Sequence, residues 1–125
     1  MNIVSTYFVA GIAFILTLAF GVWLSRMGKP YNGVIFNIHK LCALAAVVLT
    51  AVPIYQALAA PGGLQILPVL LIVLGVACVV ALFASGALMS LDKWNYKILL
   101  ALHQIGPAVA LIAVVLAVYL LLGKP

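Results

Sequence analysis

In this chain of 125 residues, 69% of the side chains are hydrophobic and 6% are charged, whereas a soluble domain is about half apolar and about a quarter charged. Its single acidic residue, Asp92, stands against six basic ones, which excludes a carboxylate pair for acid/base hydrolysis and an oxygen cage for a hard cation. The net charge of +5 is carried by isolated cations at the ends of apolar runs, as membrane orientation requires, and no basic run is present to track phosphates, so nucleic acid is set aside.

A bilayer core about 30 Å thick takes about 20 apolar residues per helix. Four runs meet that length, at 3–25, 34–60, 64–90 and 97–122. The first begins without the basic segment of a cleaved signal and is long enough to stay in the membrane as a helix. Arg26 to Gly33, with Gly28 and Pro30, separates it from the second run. Pro61-Gly62-Gly63 separates the second from the third, and Leu91 to Tyr96 the third from the fourth. Connections this short make successive helices antiparallel, so the expected fold is an all-α membrane protein, one domain over 1–125, built as an up-down-up-down four-helix bundle. Pro53 and Pro68 read as kinks, and Asn32 and Asn95 as caps of the helices that follow them. Cys42 and Cys78 lie inside apolar runs with no CxxC, zinc or CxxCH spacing and read as small buried hydrophobes.

The first connection and the third carry Arg26, Lys29, Lys93 and Lys97 in or beside them, whereas the second has no charge. The positive-inside rule therefore puts the first and third connections in the cytoplasm and both termini outside, with Lys124 as the one dissenting charge. Trp23, Tyr31, Trp94 and Tyr96 form an aromatic belt at that level. The cytoplasmic membrane of a bacterium or archaeon is the expected location.

The two halves echo each other. Gly21 to Ser25, Tyr31-Asn32 and His39 match Gly86 to Ser90, Trp94-Asn95 and His103, with glycine-to-histidine separations of 18 and 17 residues and a tyrosine 16 residues beyond each histidine, at Tyr55 and Tyr119. A duplicated hairpin would relate helices 1–2 to helices 3–4 by a pseudo-twofold along the membrane normal.

His39 and His103 are the only histidines. Each lies six or seven residues inside its helix, roughly 9–10 Å below the cytoplasmic surface at about 1.5 Å per residue. On diagonal helices of the expected bundle, two inward imidazoles at one depth would oppose each other, as the axial donors of a haem iron must. Gly21 and Gly86 fall near the same slice and would admit a flat ring. Small residues continue along the histidine faces, with Cys42, Ala43 and Ala46 beyond His39 and Gly106, Pro107 and Ala110 beyond His103. Pro107 also releases the carbonyl of His103 from its helical bond. Arg26, Lys29, Lys40, Lys93 and Lys97 could snorkel to the surface and pair with haem propionates.

In these residues the chain resembles the four-helix haem-binding core of b-type membrane cytochromes, the cytochrome b561-like group and the haem-bearing anchors of respiratory dehydrogenases. The resemblance covers the architecture of all four helices but only His39, His103, Gly21 and Gly86 in motif. It departs from di-haem members, which need four ligands. It implies one non-covalent haem b held by His39 and His103, and electron transfer to or from quinone or partner redox subunits. With no motif for NAD, flavin or a second metal, an electron-transfer subunit in a homo-oligomer or larger membrane complex is expected rather than a self-contained enzyme. Tyr55, Gln56 and Tyr119 read as interface anchors, or as groups that hold a quinone carbonyl. The plainer reading of either histidine alone is a hydrogen bond to a neighbouring helix, which would make the chain a haem-free accessory subunit. A small multidrug transporter is the other rival, but helix 1 lacks the membrane glutamate such a protein carries.

Overall fold

The computed structural model describes residues 2–123; Met1, Pro125 and the dissenting Lys124 lie outside them. Four α-helices follow one another: α1 (Ile3–Met27), α2 (Gly33–Ala59), α3 (Ile66–Ser90) and α4 (Tyr96–Leu122). No strand occurs among the described residues. All four are long and apolar enough to cross a membrane. At about 1.5 Å per residue each exceeds the roughly 30 Å hydrocarbon core by a turn or more. Large side chains such as Phe8, Ile15, Leu70, Val80, Ile105 and Ile112 are exposed along the helices, the surface expected of an integral membrane protein in contact with lipid.

Three of the four helices, α1, α2 and α4, start on an asparagine, whereas Gln65 before α3 makes no side-chain cap bond. Asn2 Oδ1 accepts from the Ser5 amide at 2.8 Å, Asn32 Oδ1 from Val34 and Ile35 at 3.0 and 3.1 Å, and Asn95 Oδ1 from Lys97 at 3.0 Å. Each bond satisfies a donor that the first helical turn leaves open. The ends of α1 and α3 pass through positive φ. Gly28 supplies it after α1 (φ 72°), and its N–H donates to Leu24 O at 3.2 Å. After α3 the residue beyond the C-cap Leu91, Asp92, takes a positive φ (52°), with Asp92 N–H donating to Met89 O and Lys93 N–H to Leu88 O, the paired bonds of a Schellman cap. The one acidic residue thus stands where glycine is ordinarily found. Trp94 follows at φ 70° with its ring exposed.

The chain divides into two compact units, 1–56 and 57–125. In the first, the connection 28–32 folds α2 back along α1, and His39 on α2 reaches the backbone of α1. The second holds the end of α2 with α3 and α4. Its turn passes through Gly62 (φ 74°) to Gly63, where a side chain would collide with the carbonyls of Ala57 and Leu58. Helices α3 and α4 run antiparallel: Gly75 lies against Val114, Gly106 against Leu82 and Gly86 against His103, so that one index rises as the other falls. Pro68, Gly75, Ser85, Met89, Leu99, Ala110, Ala113 and Ala117 are buried. Most are small, which is how membrane helices come close enough for van der Waals contact where lipid offers no hydrophobic drive.

Burial follows the internal repeat. Ala10 and Gly75, eleven residues before the two glycines, are both buried, as are Leu24 and Met89, three residues after them. Ala46 and Ala110 are buried seven residues beyond the histidines, and Pro53 and Ala117 fourteen beyond. These four pairs share a register, whereas Ser85, Leu99 and Ala113 are buried in the second hairpin and their counterparts Phe20, Ile35 and Leu49 are half-buried.

Candidate functional site

A helix carbonyl already accepts one bond from the amide four residues on, and the side chain at that later position leans back over the same turn. A glycine there uncovers the carbonyl. Gly21 stands four residues after Thr17, and across it the His39 ring reaches in, with Nδ1 2.8 Å from Thr17 O. The ring rests on the glycine itself: a Cβ at Gly21 would lie 3.0 Å from His39 Cε1. A carbonyl only accepts, so Nδ1 carries the proton and Nε2 is the nitrogen with the basic lone pair in the neutral ring.

The second hairpin repeats this device with one insertion. Gly86 stands four residues after Leu82, and a Cβ there would lie 3.2 Å from His103 Cε1. The Leu82 carbonyl, however, accepts from the hydroxyl of Ser85 at 3.1 Å, and Ser85 Oγ lies 2.9 Å from His103 Nδ1. Ser85 is 3% exposed. With its one proton directed to Leu82 O, the Ser85 oxygen is an acceptor for His103 Nδ1–H, the arrangement that would match the tautomer of His39. Both histidines are half-buried, each inside its own hairpin.

Comparison of the chain with protein families, with characterised proteins and with solved structures finds no match. What the site can do must come from its own chemistry. Among the described residues no three His, Cys, Asp or Glu side chains gather as a metal-binding group. A haem asks less of the protein, since the porphyrin supplies four donors and only the axial positions remain.

A metal-ligating histidine ordinarily donates its other N–H to a carbonyl, carboxylate or water, which fixes ring orientation and raises basicity. Thr17 O and Ser85 Oγ are oxygens at hydrogen-bond distance from Nδ1 of His39 and His103. Gly21 and Gly86, expected to admit a flat macrocycle, each admit the imidazole of their own hairpin. The basic residues keep to the helix ends nearest the histidines. Arg26 lies in the last turn of α1, Lys93 in the connection between α3 and α4, and Lys97 in the first turn of α4, all exposed. Lys40 bends back one turn so that Nζ sits 4.4 Å from the Phe36 ring, and Lys29 Nζ lies 5.9 Å from the Tyr31 ring, itself stacked on Phe36 at 6.1 Å. Both ammonium groups thus lie toward the connection, the direction in which snorkelling carries them. At the other end Tyr55, Gln56 and Tyr119 are exposed. Cys42 and Cys78 are half-buried thiols. The Thr17 carbonyl and Ser85 were not legible as site groups. The signal for Ser85 was a hydroxyl beside Gly86 in a helix whose one other hydroxyl is the terminal Ser90.

Proposed function

We propose that the chain is a membrane b-type cytochrome in which each hairpin contributes one imidazole, His39 and His103, as axial ligands of one non-covalent haem b. The observation that carries this reading is the repeated one: in both hairpins an imidazole rests on a glycine, with Nδ1 held at hydrogen-bond distance from an oxygen of the neighbouring helix. Bound haem supplies one-electron iron chemistry. The chain's own part is to hold two imidazoles in fixed orientation, to keep water away with apolar helices, and to offer propionate partners from Arg26, Lys29, Lys40, Lys93 and Lys97. By the charge of its connections, the histidine level lies toward the cytoplasm and both termini lie outside. One such centre near one face leaves most of the membrane thickness without a carrier, so electrons pass to or from a quinone or partner subunits, and the protein is an electron-transfer subunit.

The test is a spectrum. Purified in mild detergent from haem-replete cells, the protein should show a Soret band that sharpens and shifts on dithionite reduction, at one haem per chain. His39→Ala and His103→Ala should lose low-spin character or the haem itself. The same hydrogen bonds favour a second reading, a haem-free subunit whose histidines only tie each hairpin together. A preparation with no Soret absorbance selects that one.

A further inference from the structure

The two hairpins hold their histidines by the same plan with one difference, and that difference is Ser85. In the first, His39 Nδ1–H meets the Thr17 carbonyl directly; in the second, the carbonyl at the matching position, Leu82 O, is reached only through the Ser85 hydroxyl. The residue that matches Ser85 in the first hairpin is Phe20, which has no hydroxyl to insert. We infer that Ser85 is a positioning residue for His103: it receives the Nδ1 proton, fixes the ring in the tautomer whose lone pair is on Nε2, and makes the His103 imidazole a different donor from His39.

The chemistry follows from the bonds. Ser85 has one proton, and its gift to Leu82 O polarises the oxygen and improves it as an acceptor. It is still a hydroxyl, a weaker acceptor than the amide carbonyl that serves His39. The His103 imidazole is therefore less electron-rich at Nε2 than that of His39. Without Ser85, His103 Nδ1–H faces Leu82 O with a gap where the hydroxyl stood, and the burial that keeps solvent from Ser85 leaves no room for easy replacement. The electronic consequence rests on the haem reading above; the tautomer does not.

The measurement that separates them is nitrogen-15 spectroscopy of the histidine-labelled, full-length protein in lipid nanodiscs, first without added haem. One-bond N–H couplings identify the protonated nitrogen of each ring, and His39→Ala assigns the two sets. Both rings should carry the proton on Nδ1. Ser85→Ala should leave His39 unchanged and shift the His103 tautomer ratio toward Nε2–H by a factor of about 2–10, the worth of one hydrogen bond. Ser85→Thr should restore the ratio. If the added methyl group does not fit, Ser85→Cys keeps the size with a weak S–H and should fall between serine and alanine. A His103 proton on Nε2 in the unaltered protein, or no change in Ser85→Ala, overturns the inference. In the haem-loaded protein Ser85→Ala should raise the reduction potential, because a less electron-rich ligand favours the reduced iron. A tautomer shift in a protein that binds no haem keeps Ser85 as the positioning residue and sinks the haem reading instead.

Discussion

A single methyl group at Gly21 tests whether the glycine exists to seat the imidazole. Built on the backbone, the Cβ of Gly21→Ala lies 3.0 Å from His39 Cε1 and 3.4 Å from Nδ1. Carbon atoms pack at about 3.5–4.0 Å, so the ring must retreat by about half an ångström. Its bond to Thr17 O starts at 2.8 Å, and a retreat of that size carries it to the limit of a useful hydrogen bond, about 3.2 Å. Crowding of this kind costs about 1–3 kcal/mol and the weakened bond about 1 kcal/mol, against about 1 kcal/mol returned by the better helix former. The expected net loss is about 2 kcal/mol. At Gly86 the added Cβ would sit 3.2 Å from His103 Cε1, so the loss should be smaller. Gly11 has nothing within 4 Å, and Gly11→Ala should be neutral or stabilising by up to about 1 kcal/mol. Unfolding in mixed micelles of increasing sodium dodecyl sulfate, followed by circular dichroism, ranks the three, and the His39 ring signal reports the hydrogen bond. If Gly21→Ala unfolds with Gly11→Ala and leaves the His39 Nδ1–H signal unmoved, the glycine is not there for the ring.

Other substitutions follow from the same structure. Asp92→Gly should stabilise the protein by about 1 kcal/mol in the same unfolding assay, because it removes a left-handed non-glycine residue and a negative charge from the end of α3; an unchanged or lower midpoint would refute that assignment. Gly106→Ala places a Cβ 2.8 Å from Leu82 Cδ2 and 3.1 Å from its Cγ, so it should destabilise α3–α4 packing, with Leu82→Ala in the double variant recovering most of the loss through a coupling of about 1 kcal/mol or more. Simple additivity would argue against the contact. A cysteine at Lys93 should resist an impermeant thiol reagent in intact cells, and a reporter at the C-terminus should behave as periplasmic; the reverse pattern would move the histidine level to the outer face.

Much of the molecule is legible in its sequence. Four apolar runs separated by glycine, proline and charge predict helices at 3–25, 34–60, 64–90 and 97–122, and the observed ends differ by at most two residues, because a helix in hydrocarbon must satisfy its own backbone bonds and run the length of the apolar stretch. The caps at Asn32 and Asn95 were readable for the same local reason, since a side chain three atoms long reaches its own helix start whatever else the chain does. The paired spacing of glycine and histidine could be read as a repeat, and burial at matching positions of each hairpin follows it. What tertiary structure alone decided is which oxygen each imidazole meets. A carbonyl carries no residue-type signature, so Thr17 could not be picked from its letter. Ser85 became a site residue only because antiparallel α3 and α4 bring positions 85 and 103 to one level. Asp92 shows the same limit: a lone acid in a membrane chain reads as charge, yet its place is set by the handedness of the turn that ends α3. Length and hydropathy determine where the helices are, being summed along the chain; hydrogen-bond partners across helices depend on which atoms two packed surfaces bring within about 3 Å, and that is settled by packing.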